Sequence, residues 1–275
     1  FWLKDNLIFL SIAFLFGFCM IFIAYFGDDA VYKSQHLSVC ISSVLSGYYN
    51  WSSRQLVNIG WMLILHGGRV AFGLYMGLSM FVLLKSLEIL FVTKPNPKIK
   101  LFICFLVMLY PYQILSTAGW VATATSYFGP ATCGIAALIP IRRIYEGKKI
   151  SFPAFIGYSL LLLYGTNLEQ MMAVLLAVYV VAFVWFAVKK QLNVYLCLLT
   201  CLVALSAVYT LTCPGNSARS VQEISNWFPT YPMFDVVDKF DLGITTTLYW
   251  MFFESNLLVT AICTILALFV WNRYD

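Results

Sequence analysis

Charged residues are scarce in this sequence. Asp, Glu, Lys and Arg make up 11% of the 275 residues, whereas an ordinary soluble domain carries about 25%. Hydrophobic residues account for 61%, and the mean hydropathy is +0.84. This composition excludes an ordinary soluble globule, and we predict an all-α integral membrane protein.

Signatures of zinc and nucleic-acid binding are also missing. The eight cysteines form no CxxC pair and no Cys/His spacing suited to zinc. The net charge of +5 comes from short basic clusters between apolar runs, which is typical of membrane topology. We therefore expect membrane lipid among the partners, and no nucleic acid.

Apolar runs of membrane-spanning length recur along the chain. The first, residues 7–26, has no charge and matches the roughly 30 Å hydrocarbon core at about 1.5 Å per residue. The run 55–66 is short, and a break at 66–69 separates it from the next span, in which Gly73 and Gly77 predict close helix packing. The chain begins at Phe1 and stops at Asp275 just after a span, which is consistent with truncation at the C-terminus. We predict about eight spans in a single transmembrane domain, residues 1–275: 7–26, 70–92, 101–116, a fourth ending at 141, 151–166, a sixth ending at 189, 192–212 and 255–271.

The basic residues divide unevenly when the loops alternate between the two sides of the membrane. With the N-terminus in the cytoplasm, most of the 17 Lys and Arg residues lie inside, as expected for cytoplasmic loops. This orientation places the first loop, 27–69, and the last loop, 213–254, outside. The basic residues left outside are Lys33, Arg54, Arg69, Arg219 and Lys239.

Two adjacent carboxylates, Asp28 and Asp29, directly follow the first span. Charges are costly in hydrocarbon, so the pair must face water, a cation or a substrate. We interpret them as catalytic residues, with binding of a divalent cation such as Mg or Mn as a second role. The alternative is that they only start the next helix, since Asp is a good N-cap. Neighbouring helical residues diverge by about 100°, so we expect one of the two to face the site.

An amphipathic pattern follows in the same loop. Apolar residues recur at helical spacing from 31 to 45, and serines fill the other face. We predict an interfacial helix lying flat on the membrane.

Separated arginines and one further acid accompany these carboxylates on the outer side. Guanidinium groups bind phosphate oxygens bidentately, and a carboxylate can deprotonate a hydroxyl while a phosphate departs. The simpler explanation is that the arginines reach lipid headgroups, the acid anchors a turn, and the tryptophans belong to an aromatic belt. The predicted substrate- and phosphate-binding residues are Trp51, Arg54, Arg69, Trp120, Glu169, Asn216 and Arg219.

Short motifs in the outer loops complete the pattern. A span is followed by an Asp-Asp loop with a flat helix and then by Trp51-Ser52-Ser53-Arg54. This arrangement resembles the GT-C class of polytopic glycosyltransferases, which use polyprenyl-phosphate sugars, and the resemblance covers most of the chain. Further runs are similar to a bacterial branch linked to surface-polysaccharide or teichoic-acid glycosylation. These are Gly119-Trp120-Val121-Ala122-Thr123, Asn167-Leu168-Glu169 and Pro214-Gly215-Asn216-Ser217-Ala218-Arg219.

The resemblance implies a GT-C-like fold and sugar transfer from a polyprenyl-phosphate donor to a glycan or teichoic-acid acceptor. The active site would face outward from a bacterial plasma membrane. Asp28 or Asp29 would be the catalytic acid-base or metal-binding residue, and Arg54 and Arg219 would contact the donor phosphate. We expect the transfer to invert the anomeric centre.

Two other functions remain open. A lipid-linked sugar transporter or flippase should place polar residues or broken helices near the membrane midplane. In a non-catalytic membrane subunit, Asp28, Asp29 and Glu169 would matter only for stability.

Overall fold

The computed structural model describes residues 2–253, and all regular structure in this range is helical, as predicted. Two 3₁₀ turns, Tyr112–Ser116 and Tyr231–Met233, and one π-helical turn, Ala124–Phe128, interrupt the α-helices. The predicted eighth span, 255–271, lies outside the described residues. In chain order the α-helices are α1 (Trp2–Met20), α2 (Asp28–Lys33), α3 (Leu37–Asn50), α4 (Gln55–Phe91), α5 (Pro97–Met108), α6 (Trp120–Thr123), α7 (Gly129–Ala136), α8 (Ile139–Tyr145), α9 (Phe152–Thr166), α10 (Glu169–Val188), α11 (Val194–Thr212), α12 (Pro214–Trp227) and α13 (Val236–Phe252).

Five helical segments within residues 2–253 are long and apolar enough to cross a membrane. They are α1, α4, the run Trp120–Tyr145, α10 and α11. The apolar helix α9 is shorter. The chain is therefore compatible with a multi-pass membrane protein, while the predicted number of eight spans is not confirmed by the described residues.

Two predicted spans differ from the helices observed at those positions. The first span was predicted to reach residue 26, but α1 ends at Met20, and the next residues form a turn and an extended connection to α2. The third was predicted over 101–116, but α5 ends at Met108. Pro111 lacks a backbone N–H and disfavours the helical conformation of Tyr110, so the helix stops before it.

The predicted break at 66–69 is confirmed as a kink in α4. Gly68 has φ +87°, outside the helical region. Backbone carbonyls at a helix end need new partners, and Lys33 Nζ donates to the carbonyl oxygens of Leu65 at 2.9 Å and His66 at 3.3 Å. His66 Nε2 also contacts the carbonyl oxygen of Gln35 at 3.0 Å.

These contacts explain why the predicted helix over 31–45 is wrong in its bounds. The segment forms two helices, because α2 ends at Lys33 and α3 begins at Leu37. The connection between them carries Gln35 to the kink. The partner of Gln35, His66, lies on another part of the chain, so the apolar spacing over 31–45 does not reveal this contact.

Helix α1 packs on the second half of α4 through glycines. A Cβ atom at Gly17 would lie 2.5 Å from the carbonyl oxygen of Gly73 and 3.0 Å from Cα of Gly77. The close packing predicted for Gly73 and Gly77 is confirmed.

The long helices run in alternating directions, so the connections between them lie at the two ends of the bundle. At one end, Lys100 at the start of α5 pairs with Glu88 at 3.3 Å and donates to the carbonyl oxygen of Asp5. We call this the lysine end. At the other end, Asp29 bonds to the start of α6 and Arg54 bonds to the start of α10. We call this the cavity end.

Candidate active site

A cavity of about 590 Å³ opens at the cavity end. Its walls come from α2, α3, the segment 51–54, the first half of α4, the segment 118–127 and one residue of α12. This volume is in the range of small-molecule sites. Its lining includes the charged residues Asp28, Arg54 and Arg219, the aromatic residues Tyr32, Trp51, Trp61 and Tyr127, and the amides Asn50 and Asn58.

Asp29 is fully buried and is not among the residues that line this cavity. Its Oδ2 accepts a hydrogen bond from the backbone N–H of Val121 at 2.8 Å. Its Oδ1 accepts from the N–H of Ala122 at 2.9 Å and from Trp61 Nε1 at 3.2 Å. First-turn N–H groups have no partner within their own helix. Asp29 therefore caps α6 from a distant part of the chain, which extends the capping alternative to another helix.

Gly119 allows this approach. Its φ is +136°, and a Cβ atom there would lie 2.8 Å from Oδ2 of Asp29. The backbone N–H of Asp28 donates to the carbonyl oxygen of Ala118 at 2.8 Å. The segment 119–123 and the residue before it therefore contact the Asp28-Asp29 loop directly.

The two adjacent carboxylates thus have different environments. Burial raises the pKa of Asp29 above its ordinary value, although the N–H donors of Val121, Ala122 and Trp61 act in the opposite direction. Asp28 is exposed, lines the cavity, and its side chain makes no hydrogen bond or ion pair with the described residues. Of the pair, Asp28 is the carboxylate that a ligand in the cavity can reach.

Arg54 is fixed at the edge of the cavity by two other elements. Its Nη2 and Nε both lie 2.6 Å from Oε2 of Glu169, at the start of α10. Its Nη1 lies 3.4 Å from the hydroxyl oxygen of Tyr127, which belongs to the π-helical turn. A guanidinium has five N–H donors, so Arg54 retains donors for a ligand.

Arg219 is the second cation on the cavity wall. Its guanidinium carbon lies 5.1 Å from the ring centroid of Trp51. Its ion pair with Glu223 is 3.5 Å long and partly exposed, so it contributes little to stability. The stack on Trp51 orients the guanidinium plane.

The predicted binding residue Asn216 serves instead as a joint between α12 and the segment before α4. Its Oδ1 accepts from the N–H of Ser53 at 3.0 Å, and its Nδ2 donates to Ser53 Oγ at 3.2 Å and to the carbonyl oxygen of Thr210 at 2.8 Å. Next to it, a Cβ atom on Gly215 would lie 2.7 Å from the backbone at Gly47 and Trp51. This joint places Arg219 over Trp51.

Asn167 forms a second joint of the same kind. Its Oδ1 accepts from the N–H of Val57 at 3.0 Å, and its Nδ2 donates to the carbonyl oxygen of Ser53 at 3.0 Å. Asn167 thereby caps the start of α4 and brings Glu169 to Arg54.

Two further predicted site residues, besides Asp29, Glu169 and Asn216, are not part of the cavity lining. Arg69 is exposed beside the kink, with its guanidinium carbon 5.7 Å from the ring centroid of Tyr25. Trp120 is half-buried and packs against the hydrophobic core. The structure brings Asp28, Trp51, Arg54 and Arg219 to one cavity and leaves these two outside it.

Sequence reasoning missed Asn58 and Trp61, which line the cavity from the first half of α4, whereas it did predict Arg54, the residue just before this helix. Arg54, Asn58 and Trp61 follow one another at spacings of four and three residues, which places them on one helical face. That spacing was visible in the sequence. The spacing alone did not indicate a binding site, because the run 55–66 is mostly apolar and shows no polar face.

The residues present do not fit the predicted divalent cation. Both oxygens of Asp29 already accept from N–H donors, so Asp28 and Asp29 do not share a ligand position. Residues 2–253 contain no cluster of three or more His, Cys, Asp or Glu side chains arranged to hold a metal.

Comparisons with known proteins give no relative for this chain. No family model, no curated protein and no solved structure matches it. Function therefore has to follow from the chemistry of the cavity, which combines one free carboxylate, two guanidinium groups, aromatic rings and neutral amides.

Proposed function

We propose that this chain is a membrane glycosyltransferase of the GT-C type. It moves a sugar from a polyprenyl-phosphate donor to a cell-envelope glycan or teichoic-acid acceptor, with inversion, outside the bacterial plasma membrane. The observation that carries the proposal is that Asp28, Arg54 and Arg219 line one cavity together with aromatic and amide side chains. Carboxylate and guanidinium groups suit loss of a phosphate, while rings and amides suit a sugar.

Asp28 and the two arginines have different roles in the proposed reaction. The Asp28 carboxylate accepts the proton of the acceptor hydroxyl, and the acceptor oxygen forms its bond to the anomeric carbon. The bond from that carbon to the phosphate oxygen breaks, and the guanidinium groups of Arg54 and Arg219 neutralise the departing phosphate. One accessible carboxylate fits a single displacement with inversion, since retention by a covalent route needs a second carboxylate as nucleophile.

Charge distribution supports an outward-facing cavity. The basic connections at 94–100 and 142–149 join helices away from the cavity end, where Lys100 pairs with Glu88. Cytoplasmic loops are enriched in Lys and Arg, which favours a cytoplasmic lysine end and an extracytoplasmic cavity.

A transporter is less well supported, because the helices pack closely at Gly129 and Gly165, two positions where the glycines keep a helical backbone. A Cβ atom on Gly129 would meet the hydroxyl of Tyr75, and one on Gly165 would lie 2.8 Å from the backbone nitrogen of Gly134. Close packing at these two positions argues against a polar path there. A transporter needs such a path through the middle of the membrane.

The test is sugar transfer from a panel of synthetic polyprenyl-phosphate sugars by the full-length protein in nanodiscs. We expect Asp28→Asn to lower turnover by about 10²- to 10⁴-fold, the range for loss of a general base. Its unfolding midpoint should match that of the wild type, because Asp28 has no side-chain partner to lose.

Three outcomes would contradict the proposal. Undiminished turnover by Asp28→Asn would remove this carboxylate from the mechanism. Movement of donors across vesicles without transfer would support the transporter, whereas indifference of every activity to Asp28 would support a non-catalytic subunit.

A further inference from the structure

A row of cavity-lining side chains begins at Arg54, the residue before α4, and continues along the first half of that helix. Arg54, Asn58 and Trp61 all line the cavity. At 1.5 Å per residue, Asn58 lies about 6 Å along the helix from Arg54, and Trp61 lies about 10 Å from Arg54. The row is long enough to contact different parts of one ligand.

The two ends of this row differ in charge. At the Arg54 end, Arg219 stacks on Trp51 and adds a second positive charge. At the Trp61 end, the indole donates to Asp29 and packs on Tyr32, with ring centroids 4.9 Å apart. Asp28 precedes Asp29 in the chain and lines the cavity at this second end.

An inverting displacement needs this order of groups. The nucleophile and the leaving group lie on opposite faces of the anomeric carbon. With the phosphate at the basic end and the acceptor hydroxyl at Asp28, the sugar ring lies between them, beside Asn58.

The side chain of Asn58 has no hydrogen-bond partner among the described residues, whereas other amides at the cavity end do. Its side chain is half-buried and makes no hydrogen bond with the described residues, whereas the amides of Asn167 and Asn216 bond to backbone and side-chain groups. A partly buried amide without a partner in a polar cavity is free to bond to a ligand. Its neutral donor and acceptor match the hydroxyl groups of a sugar and do not compete for the phosphate.

We propose that Asn58 is a specificity-determining residue, which contacts a hydroxyl group of the donor sugar and selects its configuration at that carbon. This inference rests on the proposed transfer reaction. Asn58 acts through direct contact with the sugar and takes no part in proton transfer.

The test compares a parent donor with analogues that lack, or invert, one sugar hydroxyl at a time. The wild type should disfavour one of these analogues by about tenfold in kcat/KM, which is the scale of one hydrogen bond. Asn58→Ala and Asn58→Leu should abolish discrimination at that position and preserve it at the others. The matched control is Asn96→Ala, which removes an amide from the start of α5 at the lysine end and should leave all ratios unchanged.

A uniform loss of rate on every analogue would overturn the inference, because it would indicate a structural role for Asn58. Unchanged ratios in both variants would also overturn it. If the wild type transfers no sugar, equilibrium binding of the same donors, followed by tryptophan fluorescence, separates the two proposals. Binding selectivity that depends on Asn58 would then support this inference alone, and absence of any binding would overturn both.

Discussion

Both ends of the bundle contain an ion pair, but the two ends use charge differently. At the lysine end, Glu88 is 5% exposed and lies between Lys85 and Lys100. At the cavity end, Glu169 neutralises Arg54, whereas Asp28 has no ionic partner among the described residues. At the lysine end the carboxylate is enclosed between two lysines, whereas at the cavity end Asp28 is unpaired and the arginines, although ion-paired, keep N–H donors for a ligand.

The largest expected effect on stability is the difference between losing the Glu88 carboxylate and losing the Glu169 carboxylate. Glu88→Gln leaves Lys85 and Lys100 without a counter-charge in a buried site, and we expect a loss of about 3 to 5 kcal/mol in the free energy of unfolding. Glu169→Gln should cost less, about 1 kcal/mol, because the carboxylate is 27% exposed and Arg54 keeps its contact with Tyr127. Unfolding midpoints in detergent measure both. Equal losses would contradict the distinction between the two ends.

The same pair of variants has a second readout. Glu169→Gln frees the Arg54 guanidinium, so transfer should slow even where the fold survives. Glu88→Gln, far from the cavity, should preserve the turnover of the folded fraction. A turnover that follows stability alone in both variants would argue against a role for Glu169 in positioning Arg54.

Replacing Asp28 and replacing Asp29 should also have different effects on stability, although the two residues are adjacent in the chain. Asp29→Asn places an NH₂ group against one of the N–H donors of Val121, Ala122 and Trp61, and we expect a loss of about 2 to 3 kcal/mol. Asp28→Asn should change stability by less than about 0.5 kcal/mol, as for a surface substitution. A lower unfolding midpoint for Asp28→Asn than for Asp29→Asn would reverse these assignments.

The glycine beside Asn216 gives a smaller test of the cavity end. In Gly215→Ala, the new Cβ would lie 2.7 Å from three backbone atoms, so we expect overpacking to cost about 1 to 3 kcal/mol. The matched control is Gly157→Ala in α9, where nothing lies within 4 Å of the new atom. That change should stabilise the protein by about 0.5 to 1 kcal/mol through helix propensity. Thermal unfolding of both variants checks the pair.

Sequence patterns predicted the helical class, the kink and the close packing at the glycine pair in α4. They also selected four residues that the structure places at one cavity: Asp28, Trp51, Arg54 and Arg219. These predictions rest on local signals, such as apolar periodicity, a Gly-Gly break and charges beside a span. Local signals lie within a few turns of chain and are readable without a fold.

The remaining features depend on contacts between distant segments. The capping of α6 by Asp29 joins residues 92 positions apart, and the joint between Asn216 and Ser53 joins residues 163 apart. No periodicity encodes such pairs, so the sequence could not separate Asp28 from Asp29 or assign Asn216 to the scaffold. Asn58 was missed for the same reason, because its importance comes from the cavity on which it borders.

The smallest expected effect concerns the phosphate. Arg219→Gln removes one of the two cations on the cavity wall, so we expect KM for the donor to rise about tenfold, equivalent to about 1.4 kcal/mol. Arg219→Lys should fall between this variant and the wild type, because lysine keeps the charge and loses the planar stack on Trp51. The matched control is Lys239→Gln, since Lys239 stacks on Tyr231 and lies outside the cavity lining. If Lys239→Gln raised KM as much as Arg219→Gln, the cations would act through general attraction to an anionic surface, and the distinction between cavity charges and other surface charges would fail.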